Sequence, residues 1–212
     1  MPKQEIPLNG LQQYLPEGAL PLVEHYLRKY HIHLTITRER KRVYGDYRPP
    51  VKHANHRISV NGNLNKYHFF ITLVHEIAHL VIFEKYGTRV APHGSEWKQQ
   101  FAALLQDCMA LNLFPDPLRD ALLQHTRQTM SSTCYDAALL KALREYDTGY
   151  KPDGLVWVEE VPEQVPFKTR DGRLFMKIEK LRKRYKCKEL STGLLYVFPP
   201  GVEVWPQPTG NA

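Results

Sequence analysis

KYHFFITLVHEIAHLVIFEKY, residues 66 to 86, is the stretch on which the reading of this chain turns. Asn65 before it suits an N-cap and Gly87 after it suits a C-terminal stop, so the spacing predicts one helix of about five turns. Phe69, Phe70, Ile71, Leu73, Val74, Ile77, Ala78, Leu80, Val81 and Ile82 cover most of its circumference, which places the helix inside a domain. His75, Glu76 and His79 lie in its middle, where polar groups are costly without partners. A single histidine on an apolar helix face is ordinarily a hydrogen-bonded core residue. Two of them at i and i+4, with a glutamate between, ask for more. Side chains four apart stack on one face, so the two imidazoles can meet one ion, while Glu76 points aside toward a water on that ion. H-E-x-x-H is the arrangement of zinc peptidases, with the glutamate as general base.

Composition bounds the rest. With 212 residues and 42% apolar content, the chain is long enough for one moderate domain and a smaller one. MPKQEIPLNG turns polar at once, so no signal segment is expected. The one long apolar stretch carries three ionisable groups at its centre, which argues against a membrane span. Cys108, Cys134 and Cys187 are far apart and form no C-x-x-C, so neither a disulfide framework nor a thiolate zinc site is indicated, and a reducing cytoplasm is the expected location. The net charge of +7 is concentrated: residues 168 to 188 hold ten Lys/Arg against Asp171 and Glu179. A second basic block runs from Arg38 to Arg57. Charge placed this way points to a polyanionic partner.

Residues 8 to 31 carry apolar positions at helical spacing, divided by Pro16 and Pro21 into two helices that serve as a packing layer. Residues 31 to 38 alternate and read as a strand. The segment RERKRVYGDYRPPVKHANHR (38–57) reads as a basic, turn-rich loop whose Tyr44, Tyr47, His53 and His56 are candidates to line a cleft and stabilise an oxyanion. RISV (57–60) reads as a short strand leaving through Asn61-Gly62-Asn63, placed where zinc peptidases carry the edge strand that holds a peptide by backbone pairing. Beyond Gly87, Ser95 is a candidate cap for a helix to about Met109, and Thr133 with Asp136 for a later one, within a helical connector spanning 116–150.

Two histidines make half a zinc site. The metzincin pattern would require Gly at 82 and His at 85, where this chain has Ile82 and Lys85. His93, Glu96 and, more remotely, Glu84 remain open as the third ligand. HEIAHL followed, fourteen residues after His79, by His93-Gly94-Ser95-Glu96-Trp97 resembles the SprT-like zinc metalloproteases, the family that includes bacterial SprT and eukaryotic Spartan. The resemblance covers roughly residues 30 to 110. It implies that His75, His79 and His93 bind Zn²⁺ and that Glu76 is the catalytic base. It also implies an aromatic residue packed beside the site, a role open to Trp97, which core packing alone would equally explain.

From Gly154 the composition becomes strand-like, with turns at Arg170-Asp171-Gly172-Arg173 and Ser191-Thr192-Gly193. Alternation from Leu181 to Lys188 puts Arg182, Arg184, Lys186 and Lys188 on one face of a strand, an expected DNA contact strengthened by the interleaved Phe175 and Tyr185. Family members often end in a zinc ribbon. Tyr185-Lys186-Cys187 resembles one arm of it, but the other cysteines are missing, so a β domain held by apolar packing without a second metal is expected. The tail after Pro199 is expected to be loose beyond Trp205. The expected fold class is α+β. By resemblance, a zincin-like metalloprotease domain with a short N-terminal sheet and the buried helix (1–150) precedes a small antiparallel β domain (151–212). The function so implied is a zinc-dependent endopeptidase acting on proteins associated with or crosslinked to DNA. The competing reading is a non-proteolytic nucleic-acid-binding protein with a structural zinc site.

Overall fold

The computed structural model describes residues 8–40, 43–50, 55–127, 137–148 and 154–207. The chain divides into one unit of residues 1–133 with 142–148, and another of 134–141 with 149–212.

In the first unit, α1 (Leu8–Leu11) and a 3₁₀ turn (Gln12–Tyr14) lead past Pro16 to α2 (Leu20–Lys29), which has Pro21 in its first turn, where a missing N–H leaves nothing unsatisfied. Three strands follow: β1 (His33–Thr37), β2 (Gly45–Arg48) and β3 (Arg57–Asn61). Their order is β1-β3-β2, with β1 parallel and β2 antiparallel to β3. The strand before the long helix is therefore the central one, and the expected edge role passes to β2. Residues 45–48, expected as loop, are a strand because Gly45 and Tyr47 register against Val60 and Ile58, both buried.

α3 (Lys66–Tyr86) has the predicted ends. The Asn65 side chain accepts from His68 N at 2.9 Å, and Gly87 leaves the helix at φ 62°. Fourteen of its 21 residues are buried, so the helix lies inside the unit, flanked by β2 and β3 and by α4 (Ser95–Ala110). Burying each large apolar side chain contributes about 1.5–3 kcal/mol, which makes this helix the main source of cohesion. α4 presents Trp97, Phe101, Leu104, Leu105 and Cys108 as a buried stripe. Its N-cap is Gly94, not Ser95, whose hydroxyl donates to Glu96 instead of capping. α5 (Asp116–Arg127) follows in the first unit; α6 (Ala137–Arg144) has residues 137–141 in the second unit and 142–144 in the first, and the expected cap at Thr133 and Asp136 lies outside the described residues.

The second unit is a six-stranded antiparallel sheet: β4 (Val156–Trp157), β5 (Pro166–Lys168), β6 (Leu174–Lys180), β7 (Tyr185–Glu189), β8 (Leu195–Phe198) and β9 (Glu203–Pro206), in the order β4-β9-β5-β6-β7-β8. Val158, Val161, Phe167, Phe175, Tyr185, Cys187 and Val204 form its core. Two expectations are corrected. Residues 181–188 are not one strand: the chain reverses at Leu181–Arg184, where Leu181 N donates to Arg184 O at 2.7 Å, and only Lys186 and Lys188 lie on β7. The tail holds past Trp205 as far as Gln207: Glu203–Pro206 sits between β4 and β5, Val204 enters the core and Gln207 N donates to Pro166 O at 2.8 Å, while residues 208–212 lie outside the described residues.

Candidate metal centre

His75 and His79 stand one turn apart on α3, and His93 reaches them from the loop before α4. His93 Nε2 lies 2.8 Å from His79 Nε2 and 3.2 Å from His75 Nε2. The loop achieves this by turning sharply: His93 adopts φ 58°, unusual for a residue with a side chain, and Gly94 N donates back to Ala91 O at 2.9 Å. Among the described residues, these three form the group of metal-ligating type whose donor atoms all lie within 4.8 Å of one another.

The donor chemistry fits a cation. Burial, with the neighbouring imidazoles adding, lowers the pKa of His75 to about 2 and of His79 to about 4, and burial with Lys98 lowers that of His93. All three rings are thus neutral near pH 7 and hold lone pairs for an ion of borderline softness such as zinc. Trp97, fully buried, braces the set: its ring centroid is 4.5, 5.0 and 4.7 Å from those of His75, His79 and His93, and it stacks on Phe101.

Glu76 is 6% exposed and stands outside that donor group. Burial raises its pKa to about 8, Asp46 adding and Arg40 opposing. A cation held by the three rings would favour its carboxylate form. β2 crosses directly over it: a Cβ on Gly45 would lie 2.6 Å from Glu76 Oε1 and 2.7 Å from Thr72 Cγ2. Arg40 secures the approach to that strand. Its guanidinium donates to Asn61 Oδ1 (2.8 Å), Ser59 Oγ (3.0 Å) and Tyr44 O (3.3 Å). Sequence reasoning missed both residues; the one signal available was a glycine between Tyr44 and Asp46 within the basic block.

The other candidates are engaged elsewhere. Glu84 pairs with His56 Nε2 at 3.3 Å, and His56 Nδ1 lies 2.9 Å from Tyr47 Oη. Glu96 accepts from Ser95. Neither carboxylate joins the imidazoles. Tyr44 lies edge-on against His68, 4.5 Å between ring centres, and His53 falls outside the described residues. The four expected DNA residues do not share a face: Arg182 and Arg184 lie at a hairpin tip, Lys186 pairs with Glu179 at 3.0 Å, and Lys188 is exposed on β7. Phe175 and Tyr185 are buried and available to no base. Among the described residues, no helix is long and apolar enough to cross a membrane.

The family model described as the SprT-like family matches residues 22–113. Protein SprT of Proteus mirabilis (strain HI4320) is 43% identical over 58 residues, 26% of this chain and 34% of that protein, so the chain spans about a third of that curated relative. No solved structure matches.

Proposed function

The chain belongs to the SprT-like family through residues 22–113, and from that premise we propose that it is a zincin-like, zinc-dependent endopeptidase with Glu76 as its catalytic base. The observation that carries this reading is the convergence of three neutral imidazole nitrogens beside a buried carboxylate that is not one of them. His75, His79 and His93 would hold the ion. Bound zinc supplies a Lewis acid that lowers the pKa of water from 15.7 to about 7 and polarises a carbonyl.

Glu76 accepts the proton of the attacking water and returns it to the leaving amine, a task that typically contributes about 10²–10⁴ in rate. Its burial keeps competing solvent away, and Trp97 holds the three rings in place. β2 is an edge strand among the described residues, and an extended peptide pairing with it would lie above Glu76. The substrate class we infer is protein held on DNA. Support comes from the basic stretch of residues 168–188, with Arg182 and Arg184 at the hairpin tip meeting phosphates. The buried free thiols of Cys108 and Cys187 agree with a reducing, cytoplasmic setting.

The test is cleavage of a DNA-bound protein by zinc-loaded wild type and Glu76→Gln, with and without DNA. The variant should bind zinc stoichiometrically and lose cleavage. Full turnover in zinc-loaded Glu76→Gln would remove Glu76 from the mechanism, and a zinc-replete wild type that cuts nothing would leave the metal a structural role.

A further inference from the structure

Of the nine large apolar side chains exposed among the described residues, six (Leu174, Leu181, Leu190, Leu194, Leu195 and Val197) come from residues 174–197. Register explains their clustering. Phe175, Lys177, Tyr185 and Cys187 turn inward, so alternate positions turn out. Met176 registers with Lys188 and Lys188 with Leu195, and the next row is Glu179, Lys186 and Val197. The outer face of the β6–β7–β8 sheet thus carries Leu174, Met176, Leu195 and Val197, with Lys186, Lys188 and Glu179 set among them. Exposed apolar side chains gathered on one sheet face mark an interaction site more often than scattered ones do.

Among the described residues, no strand pairs with the outer side of β8. β8 is the last strand of the sheet. Glu189 N donates to Leu194 O at 2.9 Å, and antiparallel alternation then points the N–H and C=O of Leu195 and Val197 away from β7. Natural edge strands are blunted by proline, inward charge or a covering segment, and residues 195–198 (LYVF) carry no charge and no proline.

Charge and shape select the occupant. Lys186 is matched by Glu179, while Lys188, exposed between Met176 and Leu195, makes no ion pair among the described residues. A nucleic acid strand would want aromatic platforms, but those of this sheet are turned into the core, where Phe175 lies 5.3 Å from Tyr196 and 4.9 Å from Phe198. A second copy of the chain would set its own basic hairpin against this one. We propose that β8 and the face beside it receive an extended segment of a partner protein that adds as a further strand and carries apolar and acidic side chains at every second position, all on the face it shares with Leu195, Val197 and Lys188. Its apolar residues would lie against Leu195 and Val197, its carboxylates within reach of Lys188.

The probe is a short blocked peptide whose every second residue is in turn valine or glutamate, with threonine between them, titrated by NMR into the 212-residue chain carrying Glu76→Gln so that the peptide is not consumed. Amide shifts should centre on residues 195–197, with slower exchange of the Leu195 and Val197 amides. Replacing the glutamates by lysine should weaken binding at least about tenfold. Val197→Pro removes an outward N–H without touching the β7 ladder and should abolish binding. Lys188→Glu, an exposed change that leaves the fold alone, should weaken the glutamate peptide and strengthen the lysine one. Equal affinity for both peptides, or binding unchanged by both variants, would overturn the proposal. So would displacement of the peptide by a single-stranded oligonucleotide, or a β8-dependent dimer that excludes it.

Discussion

Twice this molecule gathers lone pairs around a buried point, and the two places differ in where the cation comes from. In the second unit, the carbonyls of Val158, Glu159 and Val161 converge on Lys177 Nζ at 2.9, 3.1 and 2.5 Å, with the Tyr185 ring 4.1 Å away. Lys177 is 4% exposed and its pKa is lowered by burial, yet it is fully satisfied by what the chain itself supplies. In the first unit, three imidazole nitrogens converge with no cation of the chain's own among them. The β sheet is complete on folding. Under the proposed function the histidine cluster takes its cation from solution, so its stability and its chemistry should both answer to metal.

The largest effect that would break this contrast concerns zinc. At zinc a thousandfold above its Kd, the first unit should gain about 4 kcal/mol, and His93→Ala should remove most of that gain while leaving the metal-free protein folded. Differential scanning calorimetry with and without zinc reads it; an unchanged gain would remove His93 from the site. Next comes Lys177→Met, which leaves three buried carbonyls without a donor and should cost about 3 kcal/mol whether or not zinc is present, read by denaturant unfolding.

Gly45→Ala should cost about 1–3 kcal/mol in stability, because the added methyl meets Glu76 and Thr72, and should depress cleavage while zinc still binds. Acid acts on the metal-free protein. In metal-free protein, the unfolded histidines take protons near pH 6.5, while folded His68 waits until about 4 and His75 until about 2. Their stabilising contribution is full above about pH 6.5 and is lost as pH falls, by about 1.4 kcal/mol per unit for each group. Melts across that range should show the loss in the first unit, and pH-independent melts would contradict it. The smallest effect is at the hairpin tip: Arg182→Ala and Arg184→Ala should each flatten the log–log salt dependence of DNA binding by about 0.9 for every phosphate left without its counter-charge.

How much of this could be read beforehand differs by element. α3 was legible to its ends because its cap, its stop and its apolar surface are all local. The hairpin turns at Gly172 and Gly193 were legible through glycines that adopt φ 86° and 73°. The reversal at Leu181–Arg184 was not, since Leu-Arg-Lys-Arg carries no turn residue and the alternation runs straight through it. β2 was hidden by its brevity and by the basic loop around it, and β9 by strand partners far back in the chain.

By itself the sequence determined that His75 and His79 share a helix face with Glu76 beside them, because a helix repeats every few residues whatever surrounds it. Tertiary structure decided that the ring of His93 lies beside those of His75 and His79, as the family resemblance implied and as the residues by themselves left open against Glu84 and Glu96, and it alone decided that Gly45 lies over Glu76 and that Lys177 fills the ring of carbonyls. Those outcomes depend on loop closure and packing between segments distant in the chain, and the energies that select them do not exist until the segments meet.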